Sequence, residues 1–206
     1  VVPGVAAEVG ADTVVVAKDF SPYGRRRDRA VSDALAAQGC SLRGVGSPYA
    51  VEPGRVTKPD GTPYAVFTPF YRAWSRLLAE GGPGVVVADL NSPVVDYATL
   101  RSDTVEWSDG SDVALDLPPA GERAAWERWE TFRDAALADY ATARDIPSID
   151  GTSRLSTYLR WGVLHPSQLM QDMDGSASAE SYRRELCWRE FYADVLFHRP
   201  ESAWHN

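Results

Sequence analysis

Residues 140–162 read Tyr140-Ala141-Thr142-Ala143-Arg144-Asp145-Ile146-Pro147-Ser148-Ile149-Asp150-Gly151-Thr152-Ser153-Arg154-Leu155-Ser156-Thr157-Tyr158-Leu159-Arg160-Trp161-Gly162. Pro147 lacks a backbone donor and pushes Ile146 out of the α region, so a helix running through Tyr140 must stop near Arg144-Asp145. Asp150, Thr152 and Ser153 then offer N-caps, and Leu155, Tyr158 and Leu159 follow at i, i+3, i+4 spacing, so a second helix is expected to open at this turn. Two readings of the turn stand side by side. One is an ordinary capped helix; the other is an anion site, in which unpaired N–H groups and the Thr152, Ser153 and Ser156 hydroxyls cradle a phosphate.

Outward from that stretch, both flanks are helical. Ala125, Trp129, Phe132, Ala136 and Tyr140 recur at three- and four-residue steps, which predicts one helix over 121–143. Downstream, a short helix near 166–173 and a last one over about 179–198, stopped by Pro200, complete an all-α region. The N-terminal part differs. Residues 1–12 read as a short helix, Thr13-Val14-Val15-Val16-Ala17 as a buried strand, 23–37 as a helix and 40–45 as a second strand, an order typical of a parallel sheet covered by helices. Turns follow at Pro53-Gly54 and Pro59-Asp60-Gly61-Thr62-Pro63. A helix then begins with Thr68 as cap and Pro69 at its first position, carrying Phe70, Trp74, Leu77 and Leu78 to Gly81-Gly82.

The fold class expected is therefore α/β plus all-α: the end of a parallel-sheet domain over 1–50, a connector with one helix over 51–118, and the start of a helical domain over 119–206. The stretch 82–118 has many Pro and Gly and one apolar run, Val85-Val86-Val87, and is too long to be structureless inside one compact domain. Only two strands precede it, and no closing element follows the last helix, so the chain is expected to be an internal piece of a longer protein.

The 206 residues, 44% of them hydrophobic, suffice for one large domain or two small ones, and seven Trp and nine Tyr suggest aromatic packing or a site for a planar ligand. Cys40 and Cys187 form no C-x-x-C pair and no leader precedes Val1, which points to a cytoplasmic setting. No apolar run approaches the roughly 20 residues of a membrane span. The net charge is −8, with −2 over residues 140–206 and −6 over the rest, so nucleic-acid binding would require arginines gathered on one face. No Gly-x-Gly-x-x-Gly, Walker A, His-Glu-x-x-His or EF-hand motif is present. His165, His198 and His205 do not cluster and read as surface or capping residues, and no metal site is expected.

One further segment stands out: Glu185-Leu186-Cys187-Trp188-Arg189-Glu190-Phe191-Tyr192. On spacing alone it is an amphipathic helix with a Glu185–Arg189 i,i+4 pair. Together with Tyr140, Arg144-Asp145, Gly151 to Ser156, Ser21-Pro22-Tyr23-Gly24-Arg25-Arg26-Arg27-Asp28, Lys58 to Tyr64 and Val66-Phe67-Thr68-Pro69-Phe70, however, it resembles the DNA photolyase and cryptochrome family, and within it the bacterial cyclobutane pyrimidine dimer photolyases. The resemblance covers essentially the whole chain.

It implies an N-terminal α/β domain, a long connection and a helical domain that holds FAD. It also implies light-driven repair of pyrimidine dimers by a carbon–carbon lyase acting as a monomer on damaged DNA, with the isolated chain itself inert. Matched by motif, Tyr140, Thr152, Ser153, Arg154, Leu155 and Ser156 would contact FAD, with the turn at the pyrophosphate. Tyr182, where relatives often place a Trp, would contact the flavin. Arg144, Glu185, Trp188, Arg189 and Tyr192 would face DNA. Trp188 would stack on an extruded dimer, and Glu185 would bond a pyrimidine edge and stabilise the radical anion formed after electron transfer; photolyases are among the enzymes that take their target base out of the duplex.

Glu185 separates dimer photolyases from members with Gln there. Asp19 and Arg160 resemble the antenna site of deazaflavin-binding members, where Lys is usual at the latter position and an acidic residue at that of Ser21. Gly24 stands where folate binders can place Glu, so deazaflavin is expected over methenyltetrahydrofolate. The family's tryptophan electron-transfer chain falls beyond the position matching Asn206. A cryptochrome-like blue-light photoreceptor without repair activity is the second reading.

Overall fold

The computed structural model describes residues 1–81 and 117–204. The expected connector and its run Val85–Val87, like His205, fall outside or largely outside those residues. Helix α1 (Val2–Glu8) leads into β1 (Thr13–Ala17), α2 (Pro22–Ala36) and β2 (Ser41–Val45). The strands pair in parallel from Thr13↔Ser41 to Ala17↔Val45, as a βαβ unit requires. Ala6, Leu35 and Cys40 form the small core between this pair and its helices. Ser21 caps α2 by accepting the Gly24 N–H at 3.0 Å, with Pro22 in the first turn.

The Asp-Gly turn forms as read. Asp60 accepts bonds from the Thr62 N–H and hydroxyl, Gly61 takes φ +80°, and Thr57 bridges Pro63. Helix α3 (Phe67–Ala79) starts two residues earlier than expected: Val66 is its extended N-cap, with no side-chain cap bond, and Thr68 lies inside the first turn. Phe67 is drawn into the helix because its ring is buried against Tyr71, Trp188 and Phe191.

The long helix expected over 121–143 is broken. Helix α4 (Glu122–Ala135) ends where Ala136 turns to φ −132°, a 3₁₀ turn covers Leu137–Asp139, and α5 is the single turn Tyr140–Ala143. The break lets Leu137 enter the core in place of Ala136, beside Trp129, Phe132 and Tyr140. A larger apolar surface is buried than the smooth stripe would allow.

Helices α6 (Ser156–Arg160), α7 (Pro166–Gln171) and α8 (Ala177–His198) complete the helical part. His165 caps α7 as a capping box with Gln168, which fits its sequence reading. Helix α8 joins the two larger cores, packing Tyr182 and Leu186 against α4 to α7, and Cys187 and Phe191 against α3 and residues 50–56. No described helix is long and apolar enough to cross a membrane.

Residues 47–54 are held to the helical part by polar side chains. Glu190 accepts from the Ala50 and Val51 N–H groups at 2.5 and 3.0 Å and from Trp74 Nε1 at 2.6 Å. Asp194 accepts from the Gly54 N–H at 2.7 Å. Arg189 donates to the Pro48 carbonyl, and His165 Nε2 bonds the Ser47 carbonyl, both at 2.9 Å. Gly54 is required, since its φ is +87° and a Cβ would meet Phe197 at 2.6 Å.

Candidate functional site

The loop 147–155 does not open as a capped helix. Ser153 is buried and spends its hydroxyl on the Leu155 N–H at 3.3 Å and the Tyr182 hydroxyl at 2.9 Å. Arg154 adopts φ +54°, and α6 starts only at Ser156, with Leu155 as an N-cap that makes no side-chain bond. The local serine turn wins over capping because Ser153 reaches its own downstream N–H before any helix has formed. The helix-end argument for an anion site therefore fails for this five-residue helix.

A braced loop takes its place. Arg128, which sequence reasoning passed over, donates to the Ser153 carbonyl at 2.8 Å and the Thr152 carbonyl at 2.9 Å. Gly151 packs so closely that a Cβ would meet the Ala143 Cβ at 2.7 Å. Arg154 pairs with Asp150 at 2.9 Å. The exposed Thr152 and Ser156 carry hydroxyls on the outer side of this loop.

Inside it, Tyr140 and Tyr182 meet edge to face at 5.1 Å and are 6% and 4% exposed. Burial pushes both phenols above their usual range. Arg144 lies 5.5 Å over the Tyr140 ring and donates to Glu185 at 2.5 Å. Glu185 holds that guanidinium above its ordinary value. The Arg144 and Glu185 side chains are 29% and 33% exposed, within reach of a ligand. Tyr140, Arg144, Ser153, Tyr182 and Glu185 thus form one linked patch at the α5–α8 contact.

Trp188 lies one turn further along α8, with one face covered by Phe67 in a parallel stack at 3.6 Å and 6°. Tyr192 stacks on Trp188 at 5.6 Å and is 64% exposed. Arg189 turns away from this row. Besides Pro48, it donates to the Leu159 carbonyl at 3.1 Å and sits 4.5 Å over Tyr49, and burial lowers its pKa. In this structure it is a tie inside the fold and not a free cation beside Arg144.

Glu190, which has no role on helical spacing alone, ties residues 50 and 51 and Trp74 to α8. At 2% exposure burial pushes its carboxyl up to about 7, although three N–H donors pull the other way. Its sequence signal is weak, because an acid between Arg189 and Phe191 reads as solvent-facing.

The two expected antenna residues are not brought into one cavity. Asp19 lines a cavity of about 320 Å³ between the sheet and α8, with Arg25, Asp28 and Phe197 among its walls, whereas Arg160 is exposed at the end of α6 and does not line it. Asp19 accepts the Ser21 N–H at 2.9 Å and lies directly under Gly24, where a Cβ would come within 2.0 Å of its Cγ. No group of three metal-ligating side chains occurs among the described residues.

Comparison with known proteins gives this geometry a family. The model of the DNA photolyase family matches residues 1–88. The chain is 34% identical over 202 residues to the deoxyribodipyrimidine photo-lyase of Alkalihalophilus pseudofirmus, covering 92% of this chain and 41% of that protein. A bacterial class III photolyase from Agrobacterium tumefaciens superposes with a TM-score of 0.76 at 29% identity, over 100% of this chain and 45% of the other. A cryptochrome from Synechocystis shares the fold at TM-score 0.66 and 19% identity, over 96% and 44%. The chain spans less than half the length of these relatives, and its α/β part and helices match the α/β domain and the start of the helical domain of the solved structures. From the motifs, the fold and these similarities, the chain belongs to the DNA photolyase and cryptochrome family.

Proposed function

We propose that this chain is part of a light-driven enzyme that repairs cyclobutane pyrimidine dimers in DNA with FAD, residues 1–50 belonging to the antenna domain, 51–118 to the connector and 119–206 to the flavin domain. The supporting observation is the reachable Arg144–Glu185 pair, joined through Tyr140 and Tyr182 to the braced loop that carries the Thr152 and Ser156 hydroxyls.

The donor set fits FAD in part. Exposed hydroxyls on a rigid loop suit a pyrophosphate, and Arg154 and Leu155 shape that loop. Tyr140 and Tyr182 are too buried to present ring faces, so they support the floor of the site. Bound reduced FAD supplies the electron on absorbing light. Glu185 accepts a hydrogen bond from a pyrimidine N–H, Arg144 pairs with that carboxylate and reaches toward the DNA backbone, and Trp188 and Tyr192 offer aromatic surface to the extruded bases. Arg189 positions α8 instead of touching DNA.

The second chromophore of this reading is a deazaflavin, because Asp19 occupies the space that any side chain at position 24 would need, including the Glu available to folate binders. Reconstitution with each chromophore, read by absorbance, tests this preference. The enzyme is read as cytoplasmic on the strength of its two free, buried cysteines, and as monomeric on the family resemblance.

The test of the main reading uses the gene product that contains this chain. It is titrated with FAD, reduced, and illuminated with dimer-containing DNA. Flavin binding with recovery of pyrimidine absorbance is expected; flavin binding without recovery favours the photoreceptor alternative, and neither result overturns the family assignment.

A further inference from the structure

Arg128 spends a positive charge on two neutral acceptors. Its Nε donates to the Ser153 carbonyl at 2.8 Å and its Nη2 to the Thr152 carbonyl at 2.9 Å, so one planar fork reaches from α4 to two successive peptide groups. Its ion-pair partner Asp150 lies 3.8 Å away, and the same Asp150 oxygen is held at 2.9 Å by Arg154. Two guanidinium groups thus share one carboxylate, and the loop keeps an excess of positive charge. Thr152 is exposed, where water can serve a carbonyl, so closing the loop does not by itself call for a charged donor there.

The direction of those carbonyls sets the direction of the neighbouring N–H groups. No described peptide bond is cis, and in a trans peptide the C=O and N–H point to opposite sides. With the Thr152 and Ser153 carbonyls turned to Arg128, the N–H groups of Ser153 and Arg154 point away from it, and neither meets a backbone acceptor among the described residues. The next N–H, that of Leu155, is closed off by the Ser153 hydroxyl at 3.3 Å. Arg154 takes φ +54°, a conformation that costs energy in a non-glycine residue and has to be held by its surroundings. The Arg128 fork on one side and the Gly151–Ala143 contact on the other hold it.

We propose that Arg128 is a positioning residue for the pyrophosphate of FAD. It draws two carbonyl oxygens, which would repel a phosphate, to the α4 side of the loop. The Ser153 and Arg154 N–H groups, with the exposed Thr152 and Ser156 hydroxyls, are left to serve phosphate oxygens. The unmatched share of its own charge lies under the same loop and favours an anion there. Arg128 acts through the loop and not by contact with the cofactor. The proposal rests on the flavin reading given above and adds to it a residue on α4, outside the 140–162 stretch and outside α8.

The experiment titrates the apo form of the gene product that contains this chain with FAD, read by flavin fluorescence, and records the unfolding midpoint of each apo variant. Arg128→Gln should weaken FAD binding roughly thirtyfold. Arg128→Lys keeps the charge but loses the planar fork, and should still bind FAD about tenfold more weakly than the parent. Arg133→Gln is the control, since Arg133 lies on the same helix but pairs with Asp134 and Asp172; it should lower the midpoint while FAD affinity stays within about twofold. Should Arg128→Gln fail to fold, Arg128→Lys, which keeps the length of the stem, carries the same comparison. Parent-like affinity in both Arg128 variants would overturn the proposal and leave the flavin reading standing, as would full rescue by lysine, which would make charge alone sufficient. Affinity that falls in Arg133→Gln as far as in Arg128→Gln, in step with the midpoint, would also overturn it, because any structural arginine would then do the same. A parent that binds no FAD would overturn the flavin reading and the proposal with it.

Discussion

Of the three glutamates on helix α8, Glu185 and Glu190 lie five residues apart and live in opposite circumstances. Glu185 lies at an edge where a third of its side chain meets solvent, its charge matched by Arg144. Glu190 is enclosed and accepts its hydrogen bonds from the neutral N–H donors of Ala50, Val51 and Trp74. The first charge is available to a partner molecule at little cost. The second is fully used in fixing residues 47–54 and α3 against α8, and so in setting where Glu185 and Trp188 point. On the proposed reading, one helix thus presents chemistry on one face and holds the fold with the other.

The largest expected effect is on the holding face. Glu190→Ala leaves three buried N–H donors without an acceptor, and the unfolding free energy measured in urea should fall by about 3 kcal/mol or more. Gly54→Ala comes next. It forces a Cβ onto Phe197 at an unfavourable φ, and a loss above ~1 kcal/mol is expected by the same measurement.

The pH dependence is sharper in meaning than in size. His165 accepts the Ser167 N–H at Nδ1 and bonds the Ser47 carbonyl through Nε2, which makes the neutral ring with Nε2–H the folded form. Burial lowers its pKa from 6.5. A base with a depressed folded pKa contributes stability that is present above the unfolded value and is lost as pH falls through the folded one. Unfolding followed between neutral and mildly acid pH should therefore show a loss of about 1 kcal/mol, the worth of a helix N-cap, and His165→Gln should flatten that slope. The smallest effect is expected at Glu185→Gln, within ~1 kcal/mol, as befits an ion pair open to solvent. A destabilisation there as large as that of Glu190→Ala would erase the distinction between the two faces.

Much of the fold could be read from the residues. The β-branched run Thr13–Ala17, the Asp60-Gly61 turn and the helical spacing on α8 each follow from local chemistry, and the structure keeps them, except that the strand read as buried alternates between exposed and half-buried residues, with Val15 56% exposed. What could not be read was competition between a local rule and a distant partner. Thr68 was a good cap until Phe67 found Trp188, and the stripe through Ala136 was regular until Leu137 offered more surface to the core. At the candidate site, Arg144 beside Glu185 was in view because both lie in dense motifs. Arg128 was not, since its partners are carbonyls of residues 24 and 25 positions away, and carbonyls leave no mark on a sequence. Glu190 was hidden for a related reason, as the backbone N–H groups of residues 50 and 51 lie some 140 positions from it.

The most direct test of the two-face account is light-driven repair by the flavin-loaded gene product containing this chain, with and without Glu185→Gln. The account predicts that repair of dimer-containing DNA falls roughly tenfold or more while flavin binding holds and the unfolding free energy changes by no more than ~1 kcal/mol, because the solvent-open pair with Arg144 contributes little to folding and the main loss is a contact made during the reaction. Undiminished repair by Glu185→Gln, or a loss of flavin binding and folding together with repair, would contradict it.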